Sequence, residues 1–280
     1  MNPVFESTTD FTPYIRDLTD AEVRFFRENG WVFAPRFIDP ELAEEVRQHY
    51  KAWSGIRWDT WPESEAEQKE FIEIVKDKFT DPRKTMAIRQ DDPWMFTFVT
   101  QRKLGEATAR LLNVESVKPY SETLQVKYPA SSGFSRELPW HQDLPSMSID
   151  RADAAQTWIA LAPATADMGT MRHLSGSHRE PPRGMTHFSG EDPAIDFPDI
   201  WEKYQIEPPR DYAAGDALFH HCLTFHCSGQ NQTNKIRWAM SSLRFSGRSI
   251  YTGQQNTNTD GLGLQVNKFF DHPNFPTVYP

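Results

Sequence analysis

Cysteine is nearly absent from this chain of 280 residues, which holds only Cys222 and Cys227. The two flank "LTFH", form no CxxC pair and suit neither a zinc site nor a disulfide, so both are expected to be reduced, partly buried thiols. No apolar run reaches the roughly 18 residues of a membrane-spanning helix. Positive charge is also scarce: 30 Lys and Arg face 39 Asp and Glu, for a net −9. That balance argues against a nucleic-acid partner, whose phosphates call for a basic face. The opening "MNPVFESTTDF" lacks the basic-then-apolar pattern of a signal peptide, so a soluble cytoplasmic protein is expected. No internal repeat and no Pro/Gly/Ser-rich stretch divides the chain. A single domain over 1–280 is expected, long enough to bury a substantial core.

What is present begins with helices. In "LTDAEVRFFRENG", Thr19 and Glu22 have the spacing of a capping box, and Gly30 supplies a left-handed C-terminal residue. "WVFAPRF" reads as a strand. Asp39-Pro40 opens a second helix as N-cap and first residue, with Leu42, Val46 and Tyr50 on one face. A third helix is predicted around 66–78 and a fourth over "RKLGEATARLL". After about residue 116 the pattern becomes short β segments: "ETLQVKYP", "TWIALAPA", "GTMRHLSG", "DALFHHCLTFH" and "IRWAMSSLRF". The fold class is therefore mainly β with N-terminal helices, and a jelly roll wide enough for a small ligand fits the strand number and spacing. The helical part covers about 1–115 and the jelly-roll core about 116–250, with a tail over 251–280. The core is interrupted by an insertion at 179–212, whose six prolines and many charges show no periodicity. A connection of that length is expected to be a lid or a mobile insertion.

The chemistry starts from "LPWHQDLPS". In a strand, residues i and i+2 share a face, so His141 and Asp143 would aim together while Gln142 points away. A further histidine would complete the two-histidine, one-carboxylate facial set that holds Fe(II) and leaves coordination positions open. Zinc accepts the same donors, so ligand type alone does not choose the metal. "GDALFHHCLTFHCSGQNQTNKIR" offers His220, His221 and His226.

Together, "PWHQD", "TWIALAPATADMGTMRHLSGSH" and "GDALFHHCLTFHCSGQN" with Arg237 resemble the phytanoyl-CoA dioxygenase family, Fe(II)- and 2-oxoglutarate-dependent oxygenases on a double-stranded β-helix. The opening "LTDAEVRFFRENGWVFAPRFIDPELAEEV" is similar to that family's helix–strand–helix. The resemblance implies His226 as the third ligand, because it precedes Ser228 in an H-x-S pattern after Gly215-Asp216. His220 and His221 are then expected to pack or hydrogen-bond. It also implies that Arg237, eleven residues after His226, grips the distal carboxylate of 2-oxoglutarate. A guanidinium fork matches a carboxylate bidentately. Ser228 is implied as its hydroxyl partner, and Trp158 and Thr123 as pocket residues. Two departures from the family pattern, Met168-Gly169 and Ser175-Gly176-Ser177-His178, are expected to lie away from the ligands and to affect loop shape and substrate fit.

The implied reaction consumes oxygen and 2-oxoglutarate, releases succinate and carbon dioxide, and oxidises a substrate C–H bond by hydroxylation, desaturation or rearrangement. No catalytic residue beyond the metal ligands is required. The small-molecule substrate is expected to be hydrophobic, with a secondary metabolite as the class, since no Lys/Arg cluster offers itself to a coenzyme's phosphates. "IRWDTWP", "DDPWMFTFV" and "KFFDHPNF" are candidates to line an apolar pocket, although simple packing is the commoner role of such stretches. The rival reading is a non-redox, cupin-like metal-binding protein, which would have no use for Arg237.

Overall fold

The computed structural model describes residues 10–79, 91–183 and 193–280. The chain opens with helix α1 (Asp20–Asn29), strand β1 (Trp31–Ala34) and helix α2 (Pro40–Ser54). Both helix starts carry the caps their sequences specify. Thr19 accepts from Glu22 N while the Glu22 carboxylate accepts from Thr19 N, and Asp39 accepts from Glu41 N. Each cap is worth about 1 kcal/mol. Gly30 ends α1 at φ 77°, where a side chain would run into His178 and Thr224. Helices α3 (Glu65–Phe79), α4 (Pro93–Val99) and α5 (Arg102–Leu112) follow. Helix α4 has no counterpart in the sequence reading, because "WMFTFV" is apolar all round and shows no helical period. Its signal was Asp92-Pro93, the same N-cap and first residue that begin α2.

The β core comprises β2 (Val117–Leu124), β3 (Leu138–His141), β4 (Ala154–Ala160), β5 (Met171–Ser175), β6 (Gln205–Glu207), β7 (Ala217–His221), β8 (His226–Ser228) and β9 (Ala239–Ser246). One sheet has the order β1-β7-β4-β9-β2 and the other β3-β8-β5-β6. All the paired strands are antiparallel. "DALFHHCLTFH", which reads as one segment, makes two strands in different sheets, with a turn at 222–225 between them. Helices α6 (Pro193–Asp196) and α7 (Pro198–Lys203) precede β6.

Strand alternation distributes two cores. Ala155, Ile159, Ala217, Phe219 and Met240 join Phe26, Val46, Tyr50 and Leu104 in the cluster between the five-stranded sheet and the helices. Trp158, Ala160, Leu218 and Met171 occupy the space between the sheets with Trp31 and Tyr212. Helices therefore cover one face of the larger sheet, and the sandwich interior is left for a site. The 251–280 segment closes onto the sandwich through bridges from Tyr279 to Val117 and from Phe269 to Ile250. Both cysteines are free and buried. Among the described residues, no helix is long and apolar enough to cross a membrane.

Candidate active site

His141 ends β3, and the chain then leaves the strand. Asp143 has right-handed helical angles (φ −77°, ψ −37°) and leads into a 3-10 turn over Leu144–Ser146. Strand alternation is therefore not what brings the pair together. The turn is anchored by Asp143 N and Leu144 N, which donate to Cys222 O at 2.9 and 3.0 Å. Gln142 does face away: its amide donates to Leu223 O at 2.9 Å and accepts from Arg183 N at 2.9 Å. His226 opens β8 directly opposite His141.

Ligand atoms of His141, Asp143 and His226 lie within 4.8 Å of one another. His141 Nδ1 is 2.8 Å from Pro139 O, and His226 Nδ1 is 3.0 Å from Thr224 O. A carbonyl only accepts, so each Nδ1 carries the proton and each Nε2 turns a lone pair inward. The two Nε2 atoms stand 3.7 and 3.8 Å from Asp143 Oδ1. That is too long for hydrogen bonds and close enough to share an ion.

The electrostatics suit the same task. Burial lowers His141 and drives His226 well below the ordinary histidine range, keeping both imidazoles neutral. Burial alone would raise Asp143, but the neighbouring His226, His220 and His141 outweigh it and hold the carboxyl below its usual range. Two imidazoles that turn Nε2 inward and one carboxylate are the donor types that Fe(II) takes, so this set fits it.

His220 is fully buried on β7, and its Nε2 is 3.1 Å from Asp143 Oδ2. His221 turns aside, with its Nδ1 accepting from Leu223 N at 3.2 Å. Both thus take the hydrogen-bonding roles expected of them.

A cavity of about 370 Å³ opens onto this cluster, and Arg237, Ser228, Trp158 and Thr123 all line it. The pleat explains who reaches it. Thr123, Gln156, Trp158, Ser241 and Leu243 are inward positions of β2, β4 and β9, and the irregularity between Pro119 and Ser121 brings Tyr120 in beside Ser121. The Arg237 guanidinium lies over Trp158, 5.5 Å from the ring centroid, and donates to Gly169 O. Burial lowers its pKa to about 10, leaving it charged at neutral pH.

Other sequence features take their places around this cavity. Gly169 of the Met168-Gly169 departure lies beside the cosubstrate residue, its O being an acceptor for Arg237. The aromatic stretches take the packing role and do not line the cavity. Trp58 and Trp61 pack on Phe71, Trp94 packs on Phe11 and Phe98, and Phe270 and Phe275 pack on Phe245. Residues 184–192 of the 179–212 insertion lie outside the described residues, and its described residues contribute nothing to the cavity wall, whereas Asn256, Thr257 and Asn258 of the tail do. Sequence reasoning also missed Lys127, which donates to Ser228 Oγ at 2.7 Å. A lysine just past the end of β2 carries no motif, and only its pairing with Arg237 marks it.

Residues 26–239 match the family model described as phytanoyl-CoA dioxygenase (PhyH). A probable phytanoyl-CoA dioxygenase of Caenorhabditis elegans is 24% identical over 84% of this chain and 78% of its own length. Among solved structures, the carbocyclase SnoK from nogalamycin biosynthesis has a TM-score of 0.69 at 21% identity, covering 93% of this chain and 96% of its own. The epimerase SnoN from the same biosynthesis gives 0.70 at 18% identity, covering 93% and 98%. Both are described as non-haem, alpha-ketoglutarate-dependent enzymes and share the jelly-roll fold. The non-redox cupin reading falls with the family match. This chain belongs to the phytanoyl-CoA dioxygenase family and is a 2-oxoglutarate-dependent, non-haem iron oxygenase.

Proposed function

We propose that this oxygenase oxidises a C–H bond of a small molecule, with His141, Asp143 and His226 holding iron and Arg237 and Ser228 holding the distal carboxylate of 2-oxoglutarate. The observation that carries the reading is that the His/Asp/His cluster and a buried arginine open onto one cavity. When bound, iron and 2-oxoglutarate supply the chemistry: oxidative decarboxylation to succinate and carbon dioxide, coupled to oxidation of the substrate.

The chain's own residues bind and orient. The neutral imidazoles and the ionised carboxylate offer lone pairs. Arg237 presents its fork over the Trp158 ring, and Trp158 and Met171 give the cavity beside it an apolar lining. No side chain is asked to act as a general base. Burial of the cluster in the sandwich excludes water from it.

The remaining wall describes the substrate. Leu138 and Leu243 give it an apolar side, while Ser146, Asn256 and Asn258 add uncharged hydrogen-bonding groups, and Arg237 is the one Lys or Arg among the lining residues. A molecule with an apolar body and neutral oxygen-bearing groups fits this wall better than a highly charged coenzyme thioester. The similarity to SnoK and SnoN, two enzymes of nogalamycin biosynthesis, favours a secondary metabolite. Hydroxylation, desaturation and oxidative rearrangement all remain within this chemistry.

Anaerobic addition of Fe(II) and 2-oxoglutarate should produce the weak visible charge-transfer band of the chelate, and admission of air should yield succinate. Folded protein that gives neither would overturn the assignment.

A further inference from the structure

Lys127 and Arg237 form an antiparallel bridge, with Lys127 N donating to Arg237 O and Arg237 N to Lys127 O, both at 3.0 Å. Residues directly opposed in such a pair share a face, and like charges there are destabilising. Here both charges are also buried, at 8% and 3% exposure. Among the described residues, neither is hydrogen-bonded to a carboxylate. Lys127 Nζ donates to Ser228 Oγ at 2.7 Å, to Ser228 O at 3.4 Å and to Gly229 O, and Arg237 donates to Gly169 O and, at 3.4 Å, to Gln125 O. Arg237 Nε has no hydrogen-bond partner among the described residues. These two adjacent buried cations have only neutral hydrogen-bond acceptors, and Glu137 offsets the Lys127 charge only through space.

The hydrogen-bond inventory then fixes a direction. An ammonium only donates, so Ser228 Oγ must accept from Lys127 and give its own proton to another acceptor. Ser228 and Arg237 both line the cavity, while Lys127 is not among the lining residues.

We propose that Lys127 is a positioning residue for the cosubstrate. Its ammonium occupies a lone pair of Ser228 Oγ and so turns the hydroxyl proton into the cavity, towards the carboxylate held by Arg237, and it adds a second positive charge behind that carboxylate. This rests on the reading of Arg237 and Ser228 as the carboxylate-binding pair.

The test is equilibrium binding to the Fe(II) protein without oxygen, read from the visible band. Two probes are used: 2-oxoglutarate, and 2-oxopentanoate, in which a methyl group replaces the distal carboxylate. Lys127→Met keeps the stem and removes the charge. It should weaken 2-oxoglutarate binding by about tenfold to a hundredfold, the usual worth of a charge-assisted contact, and leave both iron affinity and 2-oxopentanoate binding unchanged. Lys127→Gln, which keeps a donor for Ser228 without the charge, should fall between the two and covers the case in which the methionine variant fails to fold. Because Lys127 acts through Ser228, adding Ser228→Ala to Lys127→Met should cost little more than the larger single loss. Unchanged 2-oxoglutarate affinity in folded Lys127 variants, or losses that multiply in the double variant, would overturn the proposal. Arg237→Leu is the control for the underlying reading: if it leaves 2-oxoglutarate binding intact, the pocket assignment itself is wrong.

Discussion

His220 Nε2 is 3.1 Å from Asp143 Oδ2, while the other carboxylate oxygen, Oδ1, faces His141 and His226. The two oxygens thus have separate partners. One hydrogen bond from β7 fixes the carboxylate plane and leaves a single oxygen to the proposed metal. His220→Phe keeps the ring volume and deletes the donor. Iron(II) affinity should drop by about tenfold to a hundredfold, as for other groups that orient a metal ligand. Metal titration checks this, with a melting curve to show that the fold persists, and an unchanged affinity would make the hydrogen bond incidental.

Arg237→Leu should abolish most 2-oxoglutarate affinity while iron still binds, because Arg237 is not one of the clustered ligand groups. Losing a bidentate charged partner costs about 3 kcal/mol, or roughly a hundredfold. Titrating iron and 2-oxoglutarate separately distinguishes this from general unfolding.

Gly169→Ala should damage the same pocket from behind. Gly169 has φ 72°, and a Cβ there would lie 2.3 Å from Gly229 O and 2.9 Å from the Lys127 side chain. Backbone strain of this kind costs about 1–3 kcal/mol. A lower melting temperature together with weaker 2-oxoglutarate binding is expected. Lost stability with intact binding would separate the turn from the pocket.

Binding of 2-oxoglutarate should weaken as pH rises above about 7. Burial first, and then the Arg237 charge, bring the Lys127 ammonium down to about 7, while Glu137 and Cys227 pull the other way. Only the protonated form attracts an anion, so affinity is complete below that value and is lost as pH climbs through the pKa of the complex, which the bound anion raises. Cys227 is pushed up to about 11 and stays a thiol throughout this window. Calorimetry should also show proton uptake on binding near pH 7. A pH-independent dissociation constant would contradict this, and Lys127→Met should flatten the profile.

The features that could be read from the chain are those whose physics is local. The Thr19–Glu22 box and the Asp39-Pro40 start act within one helical turn, and both stand where the sequence puts them. His141 and Asp143 are two residues apart, so any bend there keeps them neighbours, even though a turn and not a strand does the work. The spacing from His226 to Ser228 spans one short strand. What stayed hidden depends on register between distant segments. Lys127 has meaning only opposite Arg237, His220 only because β7 turns it towards a carboxylate 77 residues earlier, and Asn256–Asn258 only because the tail folds back over the sandwich. The aromatic stretches left two roles open for the same reason, since a large apolar side chain fills a core or lines a cavity equally well until packing decides. The sequence by itself determined the type of site and the groups available to it. The tertiary structure decided which of them face one another, because strand pairing over long separations sets charge next to charge and donor next to acceptor.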